Sequence, residues 1–204
     1  YALASHSRES KYVVTLYTPS FREIARYYRD TYVTDVAVSR NGKQLAILSV
    51  DSENSDLRGI LTVCEIGTES TVDIQLGEQL PLAVSYLADG TLAVVSDGGV
   101  YLYHTDGMKK FVFPFTASTL SAMDISDTQI AVVCKADTLG TQSRVTVIDQ
   151  SGSITADTVT EEKLTAIYAA NETGKAYVCT QNAAFTVNNG SLVPFASYTG
   201  NLLS

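Results

Sequence analysis

The side chains with the most chemical potential in this chain are carboxylates. The stretch DSENSD places Asp51, Glu53 and Asp56, three oxygen donors, within a single short loop-like segment. A hard cation such as Ca²⁺ takes about six to eight oxygens, and the glycine and distal glutamate of an EF-hand are missing at the required offsets. The segment therefore reads as a solvated acidic loop. His6 and His104 are the only histidines. They lie too far apart, with too few potential ligands beside them, to suggest zinc. His104 follows Tyr101 and Tyr103 in an alternating run, which predicts a half-buried packing role. Cys64, Cys134 and Cys179 interrupt apolar runs and show no C-x-x-C spacing, so they read as buried free thiols. No G-x-S-x-G elbow, phosphate loop or dinucleotide glycine pattern occurs, and no metal or cofactor is expected. The triplets NET at 171 and NGS at 189 fit a glycosylation acceptor, and both also read as turns.

The composition narrows the setting for any such chemistry. The chain has 204 residues, 45% of them hydrophobic and 18% charged, enough to bury a real core and too apolar for disorder. Its net charge is −8 and its pI about 4.7. Lysines and arginines are scattered, so there is no basic stripe to neutralise phosphates, and nucleic acid is not an expected partner. No apolar run approaches the ~20 residues that span a bilayer. The sequence begins at Tyr1, without a methionine, which reads as a piece trimmed from a longer precursor and leaves room for an anchor or leader outside it.

The elements that must position these groups repeat. The phrases YALAS (1–5), LAILS (45–49), LAVVS (92–96), IAVVC (130–134) and AYVCT (176–180) recur at a spacing of roughly 38 to 47 residues. Similar runs precede four of them: TDVAVS before Asn41-Gly42, LAVSYLA before Asp89-Gly90, LSAMDIS before Asp127, and LTAIYAA before NETG. Asn-Gly and Asp-Gly accept the positive φ of a tight hairpin, so each pair predicts two antiparallel strands. Two further strand-like runs follow each, among them GILTVCEI with TVDIQL and VYLYH with KKFVFPF. Four antiparallel strands per unit of about 40 residues is the pattern of a β-propeller blade. The expected fold is a single all-β domain over residues 1–204, a β-propeller of about five four-stranded antiparallel blades or an arc of a larger propeller.

With its blade phrases, such as DVAVSRNGKQLAILSVD, the chain resembles β-propeller repeat proteins of the WD40-like and bacterial YVTN-like kind. The resemblance covers nearly the whole chain. The His and Trp-Asp signatures of true WD40 repeats are absent, as are the Gly-Gly pairs of kelch blades. The chain is also similar to a group of uncharacterised bacterial, membrane-anchored propeller proteins. That resemblance implies an extracytoplasmic or cell-surface platform for a ligand or partner, with any membrane anchor outside this chain.

One segment resists the repeat. PSFREIARYYRD has a capping-box spacing between Ser20 and Glu23 and places Phe21, Ile24 and Tyr28 at helical intervals. We read it as a strand nonetheless, because KYVVTLYT needs a partner and TPS is a suitable turn.

In such a fold the first-to-second and third-to-fourth strand turns are short: RNGK, ADG, TDG, QSG and NNG. The second-to-third loops, HSRES at 6–10, DSENSDLR at 51–58 and KADTLGTQS at 135–143, vary, and variable loops gathered on one face mark a binding face. The fourth-to-first connections, YRDTY at 28–32 and EEK at 161–163, emerge there too. The candidate binding residues are Arg29, Tyr32, Asp51, Glu53, Arg58, Asp97 and Asp137. Two function classes follow. One is a non-enzymatic scaffold offering this face to a protein or glycan. The other is a propeller hydrolase or lyase with Asp51, Asp97 and Asp137 grouped at the channel mouth. Residues 199–204, in phase with inner strands, are expected to pair beside residues 1–5 and close the ring. An open arc would instead expose two apolar blade faces and should dimerise.

Overall fold

A computed structural model describes residues 1–52, 56–115, 119–188 and 190–197. The described residues contain strands and turns only, and no helix among them is long and apolar enough to cross a membrane. The strands fall into five sheets, and within each sheet neighbouring strands are consecutive in the chain. The first holds β1 (Ala2–His6), β2 (Tyr12–Tyr17) and β3 (Glu23–Arg29). The second holds β4 (Tyr32–Val38), β5 (Gln44–Asp51), β6 (Arg58–Glu65) and β7 (Thr71–Gly77). The third holds β8 (Pro81–Tyr86), β9 (Leu92–Ser96), β10 (Gly99–Tyr103) and β11 (Lys109–Pro114). The fourth holds β12 (Leu120–Ile125), β13 (Gln129–Lys135), β14 (Ser143–Asp149) and β15 (Ile154–Thr160). The fifth holds β16 (Ala166–Ala169), β17 (Lys175–Cys179), β18 (Ala183–Asn188) and β19 (Ser191–Ser197).

This is the all-β architecture of four-stranded antiparallel units that the repeat predicts, with YALAS in the second-strand position of a sheet that holds three strands among the described residues. The expected pairing of residues 199–204 beside residues 1–5 lies outside the described residues. The hairpin turns behave as their chemistry requires: Gly42 and Gly90 sit at φ +67° and +86°, where a β-carbon would be strained. The helix-like spacing at 20–30 is overridden. Residues 23–29 pair with β2 in the register Val13↔Tyr28 to Leu16↔Ala25, because an extended β2 leaves a row of unpaired backbone groups that only a neighbouring strand satisfies. His104 departs from expectation. It is exposed and lies just past β10, where its N–H donates to Met108 O at 2.9 Å and its carbonyl accepts from Gly107 N at 3.0 Å. The alternation of Tyr101 and Tyr103 ends at the strand's last residue, and the following Thr-Asp-Gly reverses the chain.

The chain divides into two compact units, residues 1–86 with 90–110, and residues 87–89 with 111–204. In the first unit one core joins the second and third sheets through Leu48, Leu61, Val63, Val84, Leu92, Val94 and Tyr103. Another joins the first and second sheets through Val14, Leu45, Ile47 and Cys64. Strand β5 contributes alternate residues to both cores and is therefore buried on both faces. This is why it reads as an unbroken apolar run, whereas the outer β7 alternates. In the second unit Val133, Val145, Val147, Leu164, Val178 and Val187 join the fourth and fifth sheets. Each such side chain contributes about 1.5–3 kcal/mol on burial.

Inner strands are also tied by carboxylates. Asp35 Oδ2 accepts from Val84 N at 2.9 Å in the first unit, and Asp124 Oδ2 accepts from Ala169 N at 2.8 Å in the second.

Candidate functional site

In each sheet the second-to-third loop and the fourth-to-first connection leave from the same end, because successive antiparallel strands alternate in direction. In the first unit this end gathers aromatic rings. His6 ends β1, Tyr12 opens β2 and Tyr32 opens β4. The His6 and Tyr12 rings lie 4.5 Å apart, and Tyr12 and Tyr32 lie 6.3 Å apart at 69°, edge to face. Tyr12 Oη and His6 Nε2 are 3.4 Å apart. Lys11 Nζ sits 5.0 Å from the centroid of Tyr32, a ring still 46% exposed. The loop that carries Lys11 is held by its own hydrogen bonds: Ser7 N donates to Lys11 O at 3.5 Å, Glu9 N to Ser7 Oγ at 3.2 Å, and Ser10 Oγ to Tyr12 O at 2.8 Å.

Of the residues chosen from the sequence, Tyr32, Asp51 and Arg58 share one end of the second sheet. Tyr32 is the ladder partner of Val50, and Asp51 that of Arg58. Arg58 also stands 3.9 Å from Asp56, both side chains being well exposed. Glu53 lies outside the described residues. Arg29 follows a different course. Its guanidinium reaches between the first and second sheets, where Nη2 donates to Cys64 Sγ at 3.5 Å. Burial pushes the Cys64 thiol up from its ordinary pKa, and the neighbouring arginine opposes that rise. Asp97 braces a loop: its carboxylate accepts from Leu80 N at 2.9 Å, and its own N–H donates to Leu80 O at 3.0 Å.

The second unit has its own features at the corresponding ends. Asp137 organises the 135–143 loop, accepting from Thr141 N at 2.8 Å, from Gln142 N at 3.2 Å and from the Thr141 hydroxyl. The Thr141 hydroxyl bond first, and then the backbone donors, hold its pKa below the usual carboxylate range. In the fifth sheet a polar pocket of about 180 Å³ opens between Glu162, Lys163, Thr165, Thr180, Gln181 and Asn182. The EEK connection supplies one wall, as its place on the loop face predicts. The other wall is the turn at 180–182, whose brevity hid it, and there Thr180 Oγ1 is 3.1 Å from Asn182 Oδ1. His6 and Tyr12 were likewise missed as partners of Tyr32, because no short-range spacing joins residues on three different strands. Among the described residues no group of three histidine, cysteine or carboxylate side chains is placed to hold a metal ion.

This arrangement can bind and it can brace. It supplies aromatic faces, both signs of charge and amide donors, while the Asp97 and Asp137 carboxylates accept backbone N–H groups.

The model of a family described as "Family of unknown function (DUF5711)" matches residues 2–190. No curated protein matches the chain. Among solved structures it is similar to the Dos1 propeller, with 12% identity, a TM-score of 0.68 and coverage of 98% of this chain and 56% of that one. It is similar to the computationally designed Ika8 protein at 15% identity and a TM-score of 0.67, covering 98% and 59%. It is also similar to the Pan2 WD40 domain of Neurospora crassa at 11% identity and a TM-score of 0.61, covering 93% and 61%. The chain thus spans less than two thirds of each of these structures, and the likeness establishes a propeller-like fold alone.

Proposed function

The chain belongs to the DUF5711 family, whose function is unknown, and from that premise we propose that it is a non-enzymatic binding propeller. In this reading the second-to-third loops and fourth-to-first connections meet a protein or glycan partner. The observation that carries the reading is the ring cluster of His6, Tyr12 and Tyr32, left half-open at a loop end and backed by a loop with its own hydrogen bonds. Tyrosine at a preorganised surface supplies large contact area at low entropic cost, which is the usual make-up of an interaction hot spot. The use of Asp97 and Asp137 as loop braces favours binding over acid–base chemistry, since a general acid or base must keep its proton site open to substrate.

Arrays of oligosaccharides and of peptides test the proposal. They are probed with the parent protein, with Tyr32→Ala at the loop end of the second sheet, and with Lys43→Ala in the turn at the opposite end of the same sheet. Retention lost in Tyr32→Ala and kept in Lys43→Ala is the expected result. Retention lost only in Lys43→Ala, or products released from an arrayed glycan, would overturn it.

A further inference from the structure

We infer that the corner formed by Tyr12 and Tyr32 is a docking site for a cationic side chain, best an arginine, carried on a basic segment of a partner protein. The inference rests on the binding reading above and narrows it to a partner of one chemistry.

Three observations lead there. First, the ring of Tyr32 already has a cation on it: Lys11 Nζ lies 5.0 Å from its centroid, within the range of a cation–π contact. The neighbouring Tyr12 stands edge to face at 6.3 Å, so the two rings make an angled recess rather than a flat stack. An arginine suits it better than a lysine, since a planar guanidinium stacks on one ring while its fork of N–H donors remains free for oxygen acceptors.

Second, an acceptor lies close to the recess in the chain: Asp30 is exposed and precedes Tyr32 by two positions. Third, the net charge of −8 favours encounter with a positively charged partner and disfavours an acidic one.

In this arrangement Lys11 is an internal stand-in for the ligand. It occupies the face of Tyr32 and must be displaced when the partner arrives. That role has a sign opposite to the one an anion would show: removing Lys11 strengthens binding of a cation on the ring and weakens binding of an anion.

The test is a titration of the full chain, followed through the ring resonances of Tyr12 and Tyr32, with an amidated peptide of alternating glycine and arginine. Its glutamate counterpart and chitohexaose are run in parallel. The arginine peptide should shift both rings saturably, Lys11→Ala should tighten it about threefold and Tyr32→Leu should weaken it about threefold or more. Because Lys11 is a surface side chain, its variant remains informative even where Tyr32→Leu perturbs the fold. Absence of a saturable shift with the arginine peptide, or weaker binding in Lys11→Ala, overturns the inference. If the glutamate peptide or chitohexaose alone shifts the rings, the inference fails while the broader binding proposal stands. If none of the three shifts them and the arrays also show no loop-end ligand, both fail.

Discussion

The carboxamide of Gln129 accepts a hydrogen bond from Gly174 N at 2.9 Å, joining the start of β13 to the turn that follows β16. The same side chain, fully buried, sets the two hydrogens of Nε2 among the carbonyls of Ala170 at 2.6 Å, Lys175 at 2.7 Å and Glu172 at 3.0 Å. One glutamine of the fourth sheet thus holds the hairpin of the fifth. Gln129→Leu removes all of these bonds at once and leaves the N–H of the buried Gly174 without its acceptor, at a cost of about 1–3 kcal/mol. Hydrogen exchange checks this: the amides of Gly174 and Lys175 should lose protection first in the variant. Unchanged protection at the turn would contradict the clamp.

The thiols should differ in reactivity. Cys64 and Cys134 are buried and Cys179 is partly open, and none is in a disulfide. Burial pushes the Cys134 thiol up to about 11, with Arg144 opposing it, so it stays protonated and unreactive near neutral pH. A thiol reagent at pH 8 should label one cysteine rapidly in the folded protein and all three after unfolding. Three fast thiols in the folded protein would mean that the strands carrying them are not packed as described.

Glycine substitutions should rank by what surrounds them. A β-carbon on Gly152, at φ +91°, would lie 2.6 Å from Phe111 Cγ, whereas one on Gly42, at φ +67°, meets nothing within 4 Å. Gly42→Ala then costs about 1 kcal/mol from backbone strain. Gly152→Ala adds overpacking of about 1–3 kcal/mol. Arg58→Glu, on an exposed loop end, should stay within about 0.5 kcal/mol. Thermal melts of the three variants test that order.

An acid-dependent contribution comes from Asp157. Arg144 approaches it through two hydrogen bonds, Nε to Oδ1 at 2.8 Å and Nη2 to Oδ2 at 2.5 Å, and Thr146 Oγ1 donates to Oδ1 at 3.1 Å. The arginine, chiefly, holds its carboxyl below the usual range. A depressed folded-state pKa contributes stability above the unfolded value, near 4, and that stability is lost as pH falls through the folded value. Both side chains are a third or more exposed, so solvent screening limits the pair to about 1 kcal/mol. Asp157→Asn should therefore destabilise at pH 7 and lose its disadvantage at low pH. A stability gap that persists below the folded pKa would show that packing, not charge, is at stake.

The strand repeat was legible from the sequence because its signals are local. Apolar runs such as LAILS and LAVVS mark strands buried on both faces, and Asn41-Gly42 and Asp89-Gly90 mark the reversals between them. Each of these depends on residues close together in the chain. A tie at 20–30, where helical and strand spacing coexist, was broken by the need of β2 for a partner. The candidate site was legible only in part. Loop position in the sequence puts Tyr32, Asp51 and Arg58 at one end of a sheet, and in the structure they share that end, while Glu162 and Lys163 of the EEK connection wall the pocket. Which side chains remain open at those ends was a tertiary decision. Asp97 braces Leu80, Asp137 braces its own loop, and Arg29 turns inward to Cys64, since each finds its partner through strand register and sheet packing. The convergence of His6 and Tyr12 on Tyr32, and of Gln129 on a turn more than forty residues away, has the same cause. Alternation along a strand determines which face a residue takes, but only the stacking of one sheet on the next determines what that face meets.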